Sequence, residues 1–276
     1  MSELKILSWN VAKRLKRVEG QVSFIERFNP DIIALQEVIP STEKQFHLRL
    51  KKAYPYRVSS FELAPDQTIL KRARMFGQLI CSKSPLEPFS PTIMPVPWQE
   101  RVLSVRVCHS DITFDLHTTH IPPGVSNKWI KIEMIEGIIG YLVQNPRGQL
   151  LCGDFNTPKA EFENHGLVTF GQNIDKTGRV KTKRKFRGGS GAAWDAGERC
   201  LFESLPKHGI TDSFRKLHPD DFGAYSWLYR RGEKSFTFRF DHFFASDDLQ
   251  PISCAYQNNQ GELSDHSPIL AVYKLS

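Results

Sequence analysis

The chain is poor in the features that would take it out of the ordinary globular class. It has 5 cysteines in 276 residues. Cys81, Cys108, Cys152, Cys200 and Cys254 are odd in number, far apart and never in C-x-x-C spacing, which argues against a disulfide framework and a thiolate metal cluster. Free thiols serving as small apolar residues in a reducing compartment are expected. No apolar run approaches the length of a membrane span, and the opening MSELKILSWN mixes Glu and Lys among its apolar residues where an export signal would carry an unbroken apolar stretch. A cytoplasmic location and no membrane partner are therefore expected. Internal repeats and linkers are also lacking, so one domain over 1–276 is expected. Neither sign of charge is scarce: 37 Lys and Arg stand against 30 Asp and Glu, a formal charge of +7. That balance is compatible with a polyanionic partner without requiring one.

What is present is a pattern of short apolar runs alternating with helical spacing. LKILSWN (4–10) reads as a strand, 21–29 as a helix with Val22, Ile25 and Phe28 on one face, and DIIALQEV (31–38) as a second strand. A charged helix at 41–53 follows, then strands at 56–63, 76–82, 101–109 and 112–121, the last two forming a hairpin about Ser110 and Asp111. Helices are predicted over 127–144 and 195–208, and strands over 149–154, 236–245, 252–257 and 268–275. Between them, 171–192 carries Lys176, Arg179, Lys181, Lys183, Arg184, Lys185 and Arg187 against the single acid Asp175, the composition of an exposed basic loop. Trp9, Leu35, Cys152, Phe243 and Ile269 are expected in the core.

The apolar strands repeatedly stop at a polar residue: Asn10, Glu37, His120, Asp154 with Asn156 beyond, Asp241, and Asp265 with His266. Taken singly, each has an ordinary explanation as a cap, an Asx-turn or a satisfied histidine. Together they point to one site, because functional groups gather on the loops leaving strand ends in layered α/β proteins. Glu37, Asp265 and the amide oxygen of Asn10 are hard oxygen donors of the kind Mg²⁺ accepts, and the lack of Cys disfavours zinc. Asp154 could act on water or on a leaving oxygen, Asn156 could hold an anionic oxygen, and His266 with Asp241 behind it could stabilise charge. That set meets the needs of metal-assisted phosphoester hydrolysis.

SWN (8–10), LQEV (35–38), GDFN (153–156), FRFDH (238–242) and SDHSP (264–268), in this order, resemble the endonuclease/exonuclease/phosphatase superfamily of DNase I-like phosphoesterases. The resemblance runs from about residue 4 to 275. It implies an α/β four-layer sandwich, two mixed β-sheets packed face to face with helices outside. WDAGERCLFESLPKHGITDSFRKLHPD, AYSWLYRR and FRFDHFFAS look like the exonuclease III and abasic-site (AP) endonuclease branch, with Asp212, Phe214, Arg215, Tyr225, Trp227, Arg239 and Asp241 on its pattern. By position, the resemblance implies Glu37 and Asp265 as ligands of Mg²⁺ (Mn²⁺ substituting), with Asn10 nearby. It implies Asp154, His266, Asp241, His120 and Asn156 as the catalytic set, and substrate contacts from Asn156, Arg239, Trp227 and Asn10. The division of base and acid between Asp154 and His266 stays open.

Two departures separate the chain from that branch. His120, in HIPPG (120–124), stands where a Tyr is usual, as in the DNase I-like, lipid-phosphatase and deadenylase branches, and Pro123 replaces an amide. Ala12 replaces an acid sometimes found after the SWN asparagine. The leading expectation is a monomeric DNA phosphodiesterase, an AP endonuclease or 3′-exonuclease on duplex DNA. The alternatives are a phosphatase or phosphodiesterase on RNA or a small or lipid phosphoester, and a non-catalytic nucleic-acid-binding protein.

Overall fold

The computed structural model describes residues 3–274 apart from 65, 111, 164 and 165. Two six-stranded sheets dominate it. In the first, Glu3–Asn10 and Ile32–Val38 lie parallel at the centre, joined by the crossover helix Val18–Glu26. Ile269–Lys274 and Gln250–Tyr256 extend one side, and Gly77–Ser82 and Tyr56–Ser59 the other, all antiparallel. The second sheet repeats the plan. Ile112–His120 and Gln149–Asp154 are its parallel pair, joined by the helix Ile130–Gln144 and flanked by Val102–His109 and Leu86–Pro88 on one side and by Asp241–Ser246 and Ile210–Asp212 on the other.

Side-chain alternation explains why the central strands are apolar throughout. Leu4, Ile6, Ile32 and Ala34 of the first sheet pack against Leu116, Leu150, Cys152 and Phe243 of the second, forming a core between the sheets. The intervening residues Leu7, Trp9, Ile33 and Leu35 face outward, under the helices Val18–Glu26 and Pro40–Leu50. Leu151 and Phe244 do the same under Ile130–Gln144 and Gly191–Glu203. Helix, sheet, sheet and helix make four layers, the α/β sandwich with two mixed sheets that was expected. The five expected core residues, Trp9, Leu35, Cys152, Phe243 and Ile269, are fully buried. Among the described residues, no helix is long and apolar enough to cross a membrane.

Four elements differ from the sequence reading. The strand expected over 56–63 ends at Ser59, whose Oγ accepts from the Phe61 amide at 3.2 Å and caps a helical turn over Ser60–Leu63. The basic segment 171–192 forms two short hairpins, Gln172–Ile174 with Val180–Thr182 and Lys185–Phe186 with Gly189–Ser190. Asp175 organises the first turn by accepting from the amides of Thr177 (2.9 Å) and Arg179 (3.1 Å). The helix expected over 195–208 begins at Gly191, where Ser190 Oγ caps the amides of Ala192 and Ala193. The strand expected over 236–245 breaks after Phe238, and its two parts serve different structures. Lys234–Phe238 pairs with Trp227–Arg231 in a separate two-stranded ribbon, whereas Asp241–Ser246 joins the second sheet. Ser226 Oγ stabilises the break by accepting from the amides of Phe240 (2.9 Å) and Asp241 (3.0 Å).

Candidate active site

Both parallel pairs end at the same edge of the sandwich, with Asn10 in register with Gln36 and His120 with Asp154. Asp241 begins its strand opposite Asp154. The polar residues that end the strands therefore surround one cleft of about 370 Å³, whose walls include Glu37, His120, Asp154, Asn156, Asp265 and His266.

Local backbone departures aim these side chains. The ladder between Ile32–Val38 and Gly77–Ser82 shifts register after Leu35, and within that bulge Glu37 adopts φ +52°. A left-handed non-glycine residue in a bulge stores strain in order to re-aim a side chain. Gly153, at φ +131°, lets its strand approach the neighbouring strand so closely that a Cβ would stand 2.0 Å from the Thr119 carbonyl oxygen. Asp154 follows directly. Asn156, at φ +52°, turns back so that its amide nitrogen donates to Asp154 Oδ1 at 2.9 Å and its side chain to the Ile121 carbonyl at 2.9 Å.

Asp154 is at the centre. It is buried, and its Oδ2 accepts from Asn10 Nδ2 at 2.9 Å, with His120 Nε2 and His266 Nε2 each 3.7 Å away. Burial and the neighbouring Asp241 push its pKa up to about 7, against the opposing pull of His266 and the bonds from Asn156 and Asn10. His266 Nδ1 lies 2.8 Å from Asp241 Oδ2. Burial opposes the imidazolium charge, but Asp241 and Asp154 outweigh it and lift His266 to about 10. The indole of Trp9 donates to the His266 carbonyl at 2.8 Å, and the His266 amide donates to Ser264 Oγ at 3.1 Å, fixing the backbone that carries the ring. His120 is the opposite case. Burial and the adjoining guanidinium of Arg101, hydrogen-bonded to its Nδ1, hold it neutral, with Nε2 3.5 Å from Glu37 Oε1.

The donor chemistry suits a hard divalent cation. Glu37 and Asp265 line the cleft, and among the described residues that line it there is no cysteine. Asn10 is turned the other way. Its Oδ1 accepts from the Ala12 amide at 3.0 Å, so its NH₂ faces Asp154 and Glu37, and its oxygen is not offered to a metal. Ligand atoms of Asp154, Asp241 and His266 lie within 4.8 Å of one another and could also hold a cation. The shared hydrogen bond and the positive charge on His266 count against that trio as a cation host.

Trp227 joins the cleft, its indole donating to Asp265 Oδ2 at 3.2 Å. Arg239 does not. Its guanidinium is buried on Glu161 (2.6 and 2.9 Å) and Asp212 (2.7 Å), on the far side of the chain from Phe238 and Phe240, which line the cleft. The expected substrate contact from Arg239 is therefore replaced by a structural ion cluster. Two cationic residues not singled out for the site do reach it. Lys131 lies buried beneath the cleft, donating to the Asn156 carbonyl at 2.7 Å and paired with Glu198. A lysine at helical spacing with Met134, Ile135 and Ile138 is the signal that could have found it. Arg187, from the basic segment, lines the rim, stacked on Phe186 and Trp194 at 4.7 and 5.0 Å.

Known proteins resemble the chain in sequence and in fold. The sequence profile of the Endonuclease/Exonuclease/phosphatase family matches residues 7–266. An exodeoxyribonuclease of Bacillus subtilis is 24% identical over 96% of the chain and 98% of its own length. A DNA-(apurinic or apyrimidinic site) endonuclease of Dictyostelium discoideum is 27% identical over the whole chain and 72% of its own length. The solved structure of an AP endonuclease from Archaeoglobus fulgidus superposes with a TM-score of 0.70 at 20% identity, over 99% of this chain and 100% of that one. The last likeness concerns the fold.

Proposed function

This chain belongs to the endonuclease/exonuclease/phosphatase family, and on that premise we propose that it is a divalent-metal-dependent phosphodiesterase that hydrolyses DNA. The observation that carries the reading is the Asp241, His266, Asp154 and Asn10 chain of contacts, in which one imidazole is kept charged and one carboxylate is lifted to about 7. Groups whose environments push their pKa values apart divide proton transfer from charge stabilisation. Asp154 exchanges protons with the attacking water or the leaving oxygen. His266, charged and backed by Asp241, binds the phosphate and stabilises negative charge as it develops. Asn10 and Asn156 orient the Asp154 carboxylate, and neutral His120 offers Nε2 at the same edge. Glu37 and Asp265 would hold the ion, Mg²⁺ with Mn²⁺ as substitute, which would neutralise charge on the phosphate oxygens.

Relatives named as an exodeoxyribonuclease and as an AP endonuclease, each matched over nearly all of this chain, support DNA as the polymer. We assign it to AP-endonuclease or 3′-exonuclease chemistry on DNA with a duplex portion, the Arg187 rim meeting the phosphate backbone. His120 in place of the branch tyrosine favours a second reading, a phosphodiesterase on RNA or a small phosphoester. Turnover of an abasic-site duplex, single-stranded DNA, RNA and soluble phosphoesters, with Mg²⁺ and with chelator, separates the two. DNA cleavage that stops with chelator and falls about 10²–10⁴-fold in Asp154→Asn is expected. Preference for a small phosphoester overturns the DNA assignment, and equal activity of wild type and Asp154→Asn overturns the mechanism.

A further inference from the structure

The ribbon Trp227–Arg231 with Lys234–Phe238 belongs to neither large sheet. Its register sets Trp227 opposite Phe238, Tyr229 opposite Phe236 and Arg231 opposite Lys234. Because side chains alternate along a strand, these three pairs share one face. That face is a ladder of rings. Phe240 and Trp227 stack at 5.5 Å and 22°, and Trp227 and Tyr229 stack at 5.6 Å and 14°. Phe236 lies 6.3 Å from Tyr229 at 30°.

The inner rungs are shielded and the outer one is not: Phe240 is buried, and Trp227 and Phe238 are half-buried. Tyr229 and Phe236 are 44% and 43% exposed. The ladder starts in the cleft, where Trp227 bonds to Asp265 and forms an isolated β-bridge with His266. It ends at a tip where Arg230, Arg231 and Lys234 are exposed, with Glu233 the acid among them. An occupant that runs from a phosphoester cleft over flat rings toward cations is a polyanion with flat groups, and a nucleic acid strand is one. Bases stack on aromatic side chains whatever their identity, but only when they are unpaired and free of their own neighbours.

We propose that Tyr229 and Phe236 form a stacking platform for unpaired bases of the strand whose phosphate occupies the cleft, with Arg231 and Lys234 meeting phosphates beyond. The chain then selects DNA that is single-stranded next to the cut, such as a tail leaving a duplex. This rests on the nuclease reading above and adds the form of substrate to it.

The test is fluorescence anisotropy of the full chain in EDTA, so that binding is read without turnover. The probes are labelled oligo-dT, a blunt duplex, and the same duplex with a dT tail. Tyr229→Ser with Phe236→Ser weakens binding of oligo-dT and the tailed duplex about tenfold or more, the effect of losing one to two stacked bases, and leaves the blunt duplex unchanged. Tyr229→Phe with Phe236→Tyr keeps wild-type affinity, which separates ring stacking from a folding defect. Loss of all three probes alike, or of none, overturns the platform. So does sedimentation showing a wild-type dimer that the serine variant dissociates, which would make the ribbon a contact between two copies of the chain. A wild type that binds oligo-dT by these rings yet cleaves no DNA with Mg²⁺ overturns the proposed function and leaves the platform standing.

Discussion

Replacing Arg239 with Met removes a guanidinium that is 4% exposed and holds two carboxylates, the half-buried Glu161 at 2.6 and 2.9 Å and the buried Asp212 at 2.7 Å. Methionine fills much of the aliphatic stem and leaves both acids without their principal partner. Breaking a buried pair in this way costs about 3–5 kcal/mol. With about 2–4 °C lost per kcal/mol in chains of nearly this size, the melting temperature should fall by about 6–20 °C. The pH dependence carries a sign. Burial works against both carboxylates, but Arg239 holds Asp212 far below the ordinary carboxylate range and Glu161 below its own. Acids depressed in the folded state add stability that is present above their unfolded values near about 4 and is lost as pH falls through the folded values. The gap between wild type and Arg239→Met in urea melts is therefore full at neutral pH and narrows on acidification below about 4. DNA affinity at a temperature where both proteins are folded should be unchanged. A variant that melts like wild type and loses DNA affinity would show that Arg239 is a substrate ligand after all.

Three further outcomes test the site. Asp241→Asn preserves shape but removes the charge that lifts His266 to about 10, so the alkaline limb of the turnover profile should move to lower pH. Turnover should also drop about 10–100-fold, the loss of one charge-assisted hydrogen bond; an unmoved limb would mean that the imidazolium charge is not used. Glu37→Ala should raise the Mg²⁺ concentration for half-maximal turnover, and the calorimetric dissociation constant of the ion, by about tenfold or more; unchanged metal affinity would remove Glu37 as a ligand. Gly153→Ala places a methyl 2.0 Å from the Thr119 carbonyl oxygen at φ +131°, so urea melts should show about 3 kcal/mol or more of destabilisation. A soluble variant as stable as wild type would refute the close strand approach on which the aim of Asp154 depends.

The sandwich and the strand-end residues were legible because both depend on period and position within one element. Asn10, Glu37, His120 and Asp154 each follow an apolar run, and two parallel pairs with the same polarity carry those ends to one edge. What was not legible depends on partners far along the chain. FRFDH reads as one continuous strand, yet it breaks after Phe238 because Ser226, earlier in the chain, captures the amides of Phe240 and Asp241. Alternation alone places Arg239 opposite Phe238 and Phe240, but whether that opposite face meets phosphate or protein is decided by Glu161 and Asp212. The Asn10 amide is a finer case of the same problem. Its residue type permits metal ligation, and only the Ala12 amide, presented by a residue at φ +52°, turns the oxygen away and the NH₂ toward Asp154. Alanine at position 12 thus does more than omit an acid: its backbone sets the direction of the asparagine. The segment SWN is joined to SDHSP in a similar way, since the Trp9 indole holds the His266 carbonyl. Trp9 is a core residue by burial, but replacing it with Phe removes the donor that anchors His266; on the proposed mechanism its cost should fall on turnover as well as on stability.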